Sequence, residues 1–214
     1  MNASKKRRQA VSTGAVKKQD RAIVTRKHLT DAARHVFARD GFELARVEDI
    51  AAAAGKTRGA FYANFKDKED IFFAIFEENL SRDREQFSLH LSEASSSEDR
   101  IRALALFLSR VIADRPRMLL ALEFKQYAIR HPRKQKRLAQ LHAAMCSRCG
   151  ETDLNKLIPE FASAGSEQKR AQSAQIGAIL DGLALNSMFD GGSLSEEQRL
   201  RLLRANLRVA LGTD

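Results

Sequence analysis

Apolar residues recur every three or four positions along most of the chain, and no strand-like alternation persists over any length. Leu29, Ala32, Ala33, Val36 and Phe37 form an i, i+3, i+4, i+7, i+8 stripe, which predicts an amphipathic helix within residues 21–40. Gly41 ends it, because a left-handed residue costs little there. Val47, Ile50, Ala51 and Ala54 repeat the pattern over two turns before Gly55, and a second short helix covers Arg58 to Asn64 with Thr57 as its N-cap. Asp67 opens a long helix through Ile71, Phe72, Ile75, Phe76 and Leu80, extendable to Leu91.

The polar run SEASSSEDR at 92–100 punctuates the chain and supplies a capping box, Ser95 with Glu98. Ile101 to Ile112 continue the helical spacing, and Pro116 sits where a first helical turn tolerates proline. It opens a helix that is apolar on most sides and predicted buried. Pro132 starts an irregular helix towards Phe161; another runs from Gly165 to a break at Gly191–Gly192. The last begins at Ser195, with Gln198 in the capping-box position. The predicted fold is all-α: three short helices, then about six longer ones.

Charge changes this picture at one end. The net charge is +10, yet residues 1–30 hold nine Lys/Arg against Asp20 alone, which is +8 and leaves +2 for the rest. A basic end on a near-neutral body points to a polyanion partner. Residues 1–20 themselves read as a basic disordered tail. No apolar run follows those cations and no 18-residue apolar stretch occurs, so neither a secretory signal nor a membrane helix is expected. With two cysteines and no disulfide framework, a reducing cytoplasm is the simplest home.

The two short helices have the dimensions of a helix-turn-helix over residues 21–66. Such a second helix must enter a major groove with its N-terminal half while its other side stays anchored. In TRGAFYANF, Phe61 and Phe65 lie one turn apart and can face the core, leaving Thr57, Arg58, Ala60, Tyr62 and Asn64 elsewhere. Gly59 and Ala60 keep part of the surface low. Three runs carry a specific resemblance: AA..VF...GF at 32–42, V.DIA..AG at 47–55 and G..Y..F..K..I at 59–71. Residues 25–80, about a quarter of the chain, resemble the DNA-binding domain of the tetracycline-repressor (TetR) family.

The resemblance implies a homodimeric, nucleoid-associated bacterial regulator of transcription, by default a repressor released by a small molecule. Thr57 matches the residue that caps the recognition helix; Arg58, Gly59 and Ala60 match its base-facing start. Tyr62 and Lys68 match phosphate contacts, and Asn64 a base or phosphate contact. Two positions depart from the pattern. Arg46 stands where the family usually caps the helix at Val47 with Thr or Ser, so that cap is lost and a phosphate contact is expected instead. Ala60 replaces a hydroxyl residue, which makes readout there apolar. A dimer implies a palindromic operator with recognition helices about 34–36 Å apart.

Residues 67–214 are then the effector-binding and dimerisation domain. Leu200, Leu203, Leu207, Ala210 and Leu211 fill one face of the last helix, while Leu202 and Val209 lie on another. A helix apolar on two sides needs two partners, so dimerisation is placed in residues 167–211. An effector pocket is expected among residues 98–165, with Met118, Glu123, Phe124, Tyr127, His142 and Met145 as its candidates: a few polar groups among apolar walls. An effector there is expected to shift the long helix starting at Asp67. His142, Cys146 and Cys149 share a helix face, but zinc wants four ligands and tighter loops, and no metal or cofactor is assigned. The five histidines have no catalytic spacing and no nucleophile, phosphate-loop or HExxH motif is found, which argues against an enzyme. A helical ligand-binding protein without DNA binding is the alternative.

Overall fold

The computed structural model describes residues 3–91, 94–157, 165–191 and 194–213, and every regular element among them is helical. The helices are α1 (Ala3–Leu44), α2 (Val47–Ala53), α3 (Arg58–Tyr62), α4 (Lys68–Leu91), α5 (Ser97–Ala113), α6 (Arg115–Arg130), α7 (Pro132–Leu157), α8 (Ser166–Phe189) and α9 (Glu196–Leu211). They form two compact units, Met1–Ile75 and Phe76–Asp214. The boundary falls inside α4, beyond the expected junction at 66/67. Its first two turns bury Ile71, Phe72 and Ile75 as part of the first unit's core.

Helical backbone of α1 runs from Ala3. That stretch lacks proline and is rich in Lys, Arg, Gln and Ala, all good helix formers. The helix breaks at Gly41, where φ is +77°. The predicted α1 stripe faces inward: Leu29, Ala33, Val36 and Phe37 are buried, together with Phe42, Ile50, Phe61 and Phe65. Phe42 links the elements, with its ring 5.2 Å from Phe37 and edge-on to Phe72 at 5.6 Å. Tilted and edge-on pairs suit the quadrupoles of aromatic rings.

In the second unit α5, α8 and α9 enclose an apolar core around Leu104, Leu108, Ile112, Ala184, Leu203 and Leu207. Helix α5 is capped by Ser96, which accepts from Asp99 N at 3.1 Å, not by Ser95. The capping box of Ser195 and Gln198 forms as expected. Polar cross-links tie the helices where the core thins. Glu98 accepts from Arg204 and from Arg208, the latter at 2.7 Å, and these bonds hold its carboxyl below the usual value. Lys125 pairs with Asp181, joining α6 to α8, and Arg117 pairs with Asp83, joining α6 to α4.

Candidate nucleic-acid interface

The turn between α2 and α3 is built by Gly55, whose φ of +64° lets its own N–H and that of Lys56 bond back to Ala52 and Ala51. Thr57 then caps α3: its hydroxyl accepts from Ala60 N at 3.1 Å. Phe61 and Phe65 are fully buried with rings 5.7 Å apart, so α3 is anchored by one side. Arg46 stands at the N-cap of α2, and its side chain makes no capping bond. Glu48 and Asp49 in its first turn offset part of that loss through the helix dipole.

The opposite side of α3 is open. The Arg58 side chain is 63% exposed and Tyr62 48%. Arg58 is held in place, with one guanidinium nitrogen 3.0 Å from Glu48 of α2 and the group 5.5 Å from the centre of the Tyr62 ring. A β-carbon on Gly59 would meet nothing nearer than the Thr57 hydroxyl at 3.8 Å. The fold therefore does not require glycine here.

Two residues expected as contacts also bond within the chain. The Asn64 amide donates to Ala60 O at 2.8 Å, folding back on the end of α3. The Lys68 ammonium donates to Phe42 O at 2.9 Å and Glu43 O at 2.5 Å and lies over the Phe42 ring. It binds the end of α1 to the start of α4. Sequence reasoning missed Arg26, which covers the Phe65 ring at 4.2 Å and donates to Asn64 O at 3.0 Å. It also missed Glu48. Both act across tertiary contacts that no local spacing reveals.

Five of the six effector-pocket candidates have described side chains. Met118 belongs to the apolar core, and Phe124 and Tyr127 are buried in packing. The Tyr127 hydroxyl accepts from Lys134 at 2.8 Å. Glu123 is half-buried. His142 stacks on Phe76 at 5.0 Å; burial first, then the Lys125 charge, lowers its pKa against an opposing pull from Asp181. The side chains of Met145, Cys146 and Cys149 lie outside the described residues, among which no cluster of metal-ligating side chains occurs. A cleft opens between α4, α5 and α6, and none of the five described candidates lines it.

Comparison with known proteins places this architecture. Residues 29–75 match the model of bacterial regulatory proteins of the tetR family, and residues 97–212 match that of the BetI-type transcriptional repressor C-terminal region. The HTH-type transcriptional regulator AcrR of Shigella flexneri is 44% identical over 63 residues, 29% of each chain. The fatty acid metabolism regulator protein of Bacillus subtilis is 33% identical over 82 residues, 38% of this chain and 41% of that one. The chain thus spans well under half the length of these curated relatives. Solved structures share the fold over most of both chains. FadR of Bacillus halodurans has a TM-score of 0.57 at 21% identity, covering 87% of this chain and 94% of that one. FadR of Bacillus subtilis, in complex with stearoyl-CoA, has 0.60 at 19%, covering 88% and 98%. Among the described residues no helix is long and apolar enough to cross a membrane. With one model matching the helix-turn-helix unit and the other more than half of the chain, the protein belongs to the tetR family of bacterial regulatory proteins.

Proposed function

We propose that the chain is a sequence-specific DNA-binding repressor that works as a homodimer and releases its operator when a small molecule occupies the second unit. The observation that supports this best is the split character of α3. Phe61 and Phe65 anchor one side, while the other presents an oriented arginine, a tyrosine and a glycine that the fold does not need. Arg58, Gly59 and Ala60 meet base edges; Arg46, Thr57 and Tyr62 meet phosphate. Asn64 bonds back to α3, and Lys68 ties the end of α1 to the start of α4, beside the phosphate and base contacts proposed for them. Helix α4 belongs to both units, so effector-driven movement of it changes the separation of the recognition helices.

Dimerisation through residues 167–211 is supported by apolar side chains left outside. Leu203 and Leu207 are buried, as the two-sided pattern predicts, while Leu202 and Val209 on the same helix are exposed, as are Leu185 and Phe189 on α8. Selection of duplexes from a random pool by the full chain tests both parts. An inverted repeat with half-site centres about 34–36 Å apart is expected. A lone half-site overturns the dimer, and an unenriched pool overturns the DNA-binding reading.

Gly59→Ala separates fold from function at one atom. An alanine in a helix is worth about 0.5–1 kcal/mol over glycine, so the melting temperature rises slightly. The added methyl projects where a backbone or base edge must approach, so affinity for the selected duplex falls. A melt that drops, or affinity that holds, contradicts the assignment of that surface to DNA.

A further inference from the structure

We propose that the stretch of α1 ahead of residue 21 lies along duplex DNA outside the sequence that α3 reads, and neutralises backbone phosphates there. This surface depends on the DNA-binding reading above and adds to it a second, sequence-blind contact. Charge is the first support. In the first unit, residues 21–75 hold ten Lys/Arg against eight Asp/Glu, or +2. Residues 1–20 hold six, Lys5, Lys6, Arg7, Arg8, Lys17 and Lys18, against Asp20, or +5. Ion pairing within the unit redistributes these charges but leaves their sum at +7. The excess therefore does not depend on which cations have partners.

The fold brings that excess alongside the proposed reading helix. Arg26 covers the Phe65 ring at 4.2 Å and donates to Asn64 O at 3.0 Å, so α1 passes the end of α3 at this residue. Burial of α1 begins at Leu29, and from Asp20 to His28 every residue is exposed except Thr25, which is half-buried. The backbone ahead of this point is helical from Ala3. At about 1.5 Å per residue, the steps from Ala3 to Thr25 span about 33 Å. That matches about ten base pairs of duplex at ~3.4 Å each. A body of +2 displaces few counterions from DNA, and +5 more on each chain raises that number severalfold.

Composition selects among polyanions. A helix that lies on an anionic membrane needs large apolar side chains such as Leu, Phe or Trp opposite its cations. Residues 2–20 contain none of these, and their apolar members are Ala3, Ala10, Val11, Ala15 and Val16. Cations among small residues and amides suit contact with phosphate oxygens without insertion. Such contacts fix position and add affinity but carry no base information. The stretch therefore strengthens binding on any flanking sequence, in proportion to the length of flank within its reach.

The test compares the full chain with the variant Lys5→Gln/Lys6→Gln/Arg7→Gln/Arg8→Gln/Lys17→Gln/Lys18→Gln, since glutamine keeps helix propensity without the charge. Both are titrated over a salt series onto the selected duplex, cut close to its half-sites or lengthened by about ten base pairs on each side. At about 0.15 M salt the variant should bind the long duplex about tenfold or more weakly, and its log affinity should fall less steeply with log salt, by about 2 or more in slope. Lengthening should help the full chain and leave the variant unchanged. A second variant, Lys5→Arg/Lys6→Arg/Lys17→Arg/Lys18→Arg, keeps the charge and should keep the slope; thermal melts check that all three proteins are folded. Equal slopes for the full chain and the glutamine variant, indifference of the full chain to flank length, or an arginine variant that loses as much as the glutamine one overturns the surface. So does a glutamine variant released from phosphatidylglycerol vesicles and not from DNA. The reading by α3 is scored apart, as preference for the selected duplex over a scrambled one. Loss of that preference in the full chain sinks the reading, whereas a surviving preference with equal slopes sinks only the phosphate-binding stretch.

Discussion

Arg58→Ala removes the mobility shift at protein concentrations where the unsubstituted chain shifts its selected duplex fully. A well-placed bidentate arginine is worth about 1–3 kcal/mol of base discrimination. The proposed homodimer would use it twice, so the loss reaches about 2–6 kcal/mol, roughly 30-fold to 10⁴-fold in affinity. The fold is barely touched, because Arg58 and Glu48 are both more than half exposed and an exposed ion pair contributes ~0–1 kcal/mol. An unchanged melt with a lost shift is therefore the signature. Adding Tyr62→Phe removes the hydroxyl offered to phosphate and deepens the loss. If Arg58→Ala binds the same duplex as tightly as before, α3 is not the reading helix.

Phe61→Ala is expected to lose binding by the opposite route. Phe61 is fully buried between the Phe65 and Tyr62 rings, and truncating a buried phenylalanine costs about 3–5 kcal/mol. Total stability of a domain is only ~5–15 kcal/mol. At ~2–4 °C per kcal/mol for a chain of this size, the melt falls by roughly 6–20 °C. Affinity falls with it, because α3 has five residues and no other fully buried side chain to hold it. A melt within a degree or two of the unsubstituted protein shows that α3 is braced by something else. The two substitutions, three residues apart, thus separate the reading of DNA from the holding of the reader.

The parts of this molecule that were legible in its sequence are those fixed by neighbours one or two turns away. The stripe Leu29–Phe37, the inward pair Phe61 and Phe65, the Thr57 cap and the Ser195–Gln198 box all depend on i, i+3 and i+4 relations. Where local choices are degenerate the reading slipped. Ser95 and Ser96 each stand three residues before an acid, and the backbone uses Ser96 with Asp99. Roles decided at long range were hidden. Lys68 finds its carbonyls 25 and 26 residues away, and Arg117 finds Asp83 34 residues away. Helix α6 is apolar on most sides, and Met118, Phe124 and Tyr127 served equally well as packing and as ligand wall in any reading of spacing. The cleft escaped notice because its markers are arginines and aspartates around the α5–α6 turn, where apolar walls were sought.

On the proposed DNA-binding reading, Glu48 would have a bearing on how the chain searches a genome. A carboxylate 3.0 Å from Arg58 must surrender its partner before the guanidinium commits to a base. It also repels any phosphate that drifts against that edge of α3. Random sequence supplies no bond in exchange, so accidental encounters stay loose and short, and the chain can slide onward. On the proposed role of Arg58, a base edge that takes its guanidinium donors is what compensates the surrendered carboxylate. Glu48 thereby makes hesitation on the wrong sequence part of recognising the right one.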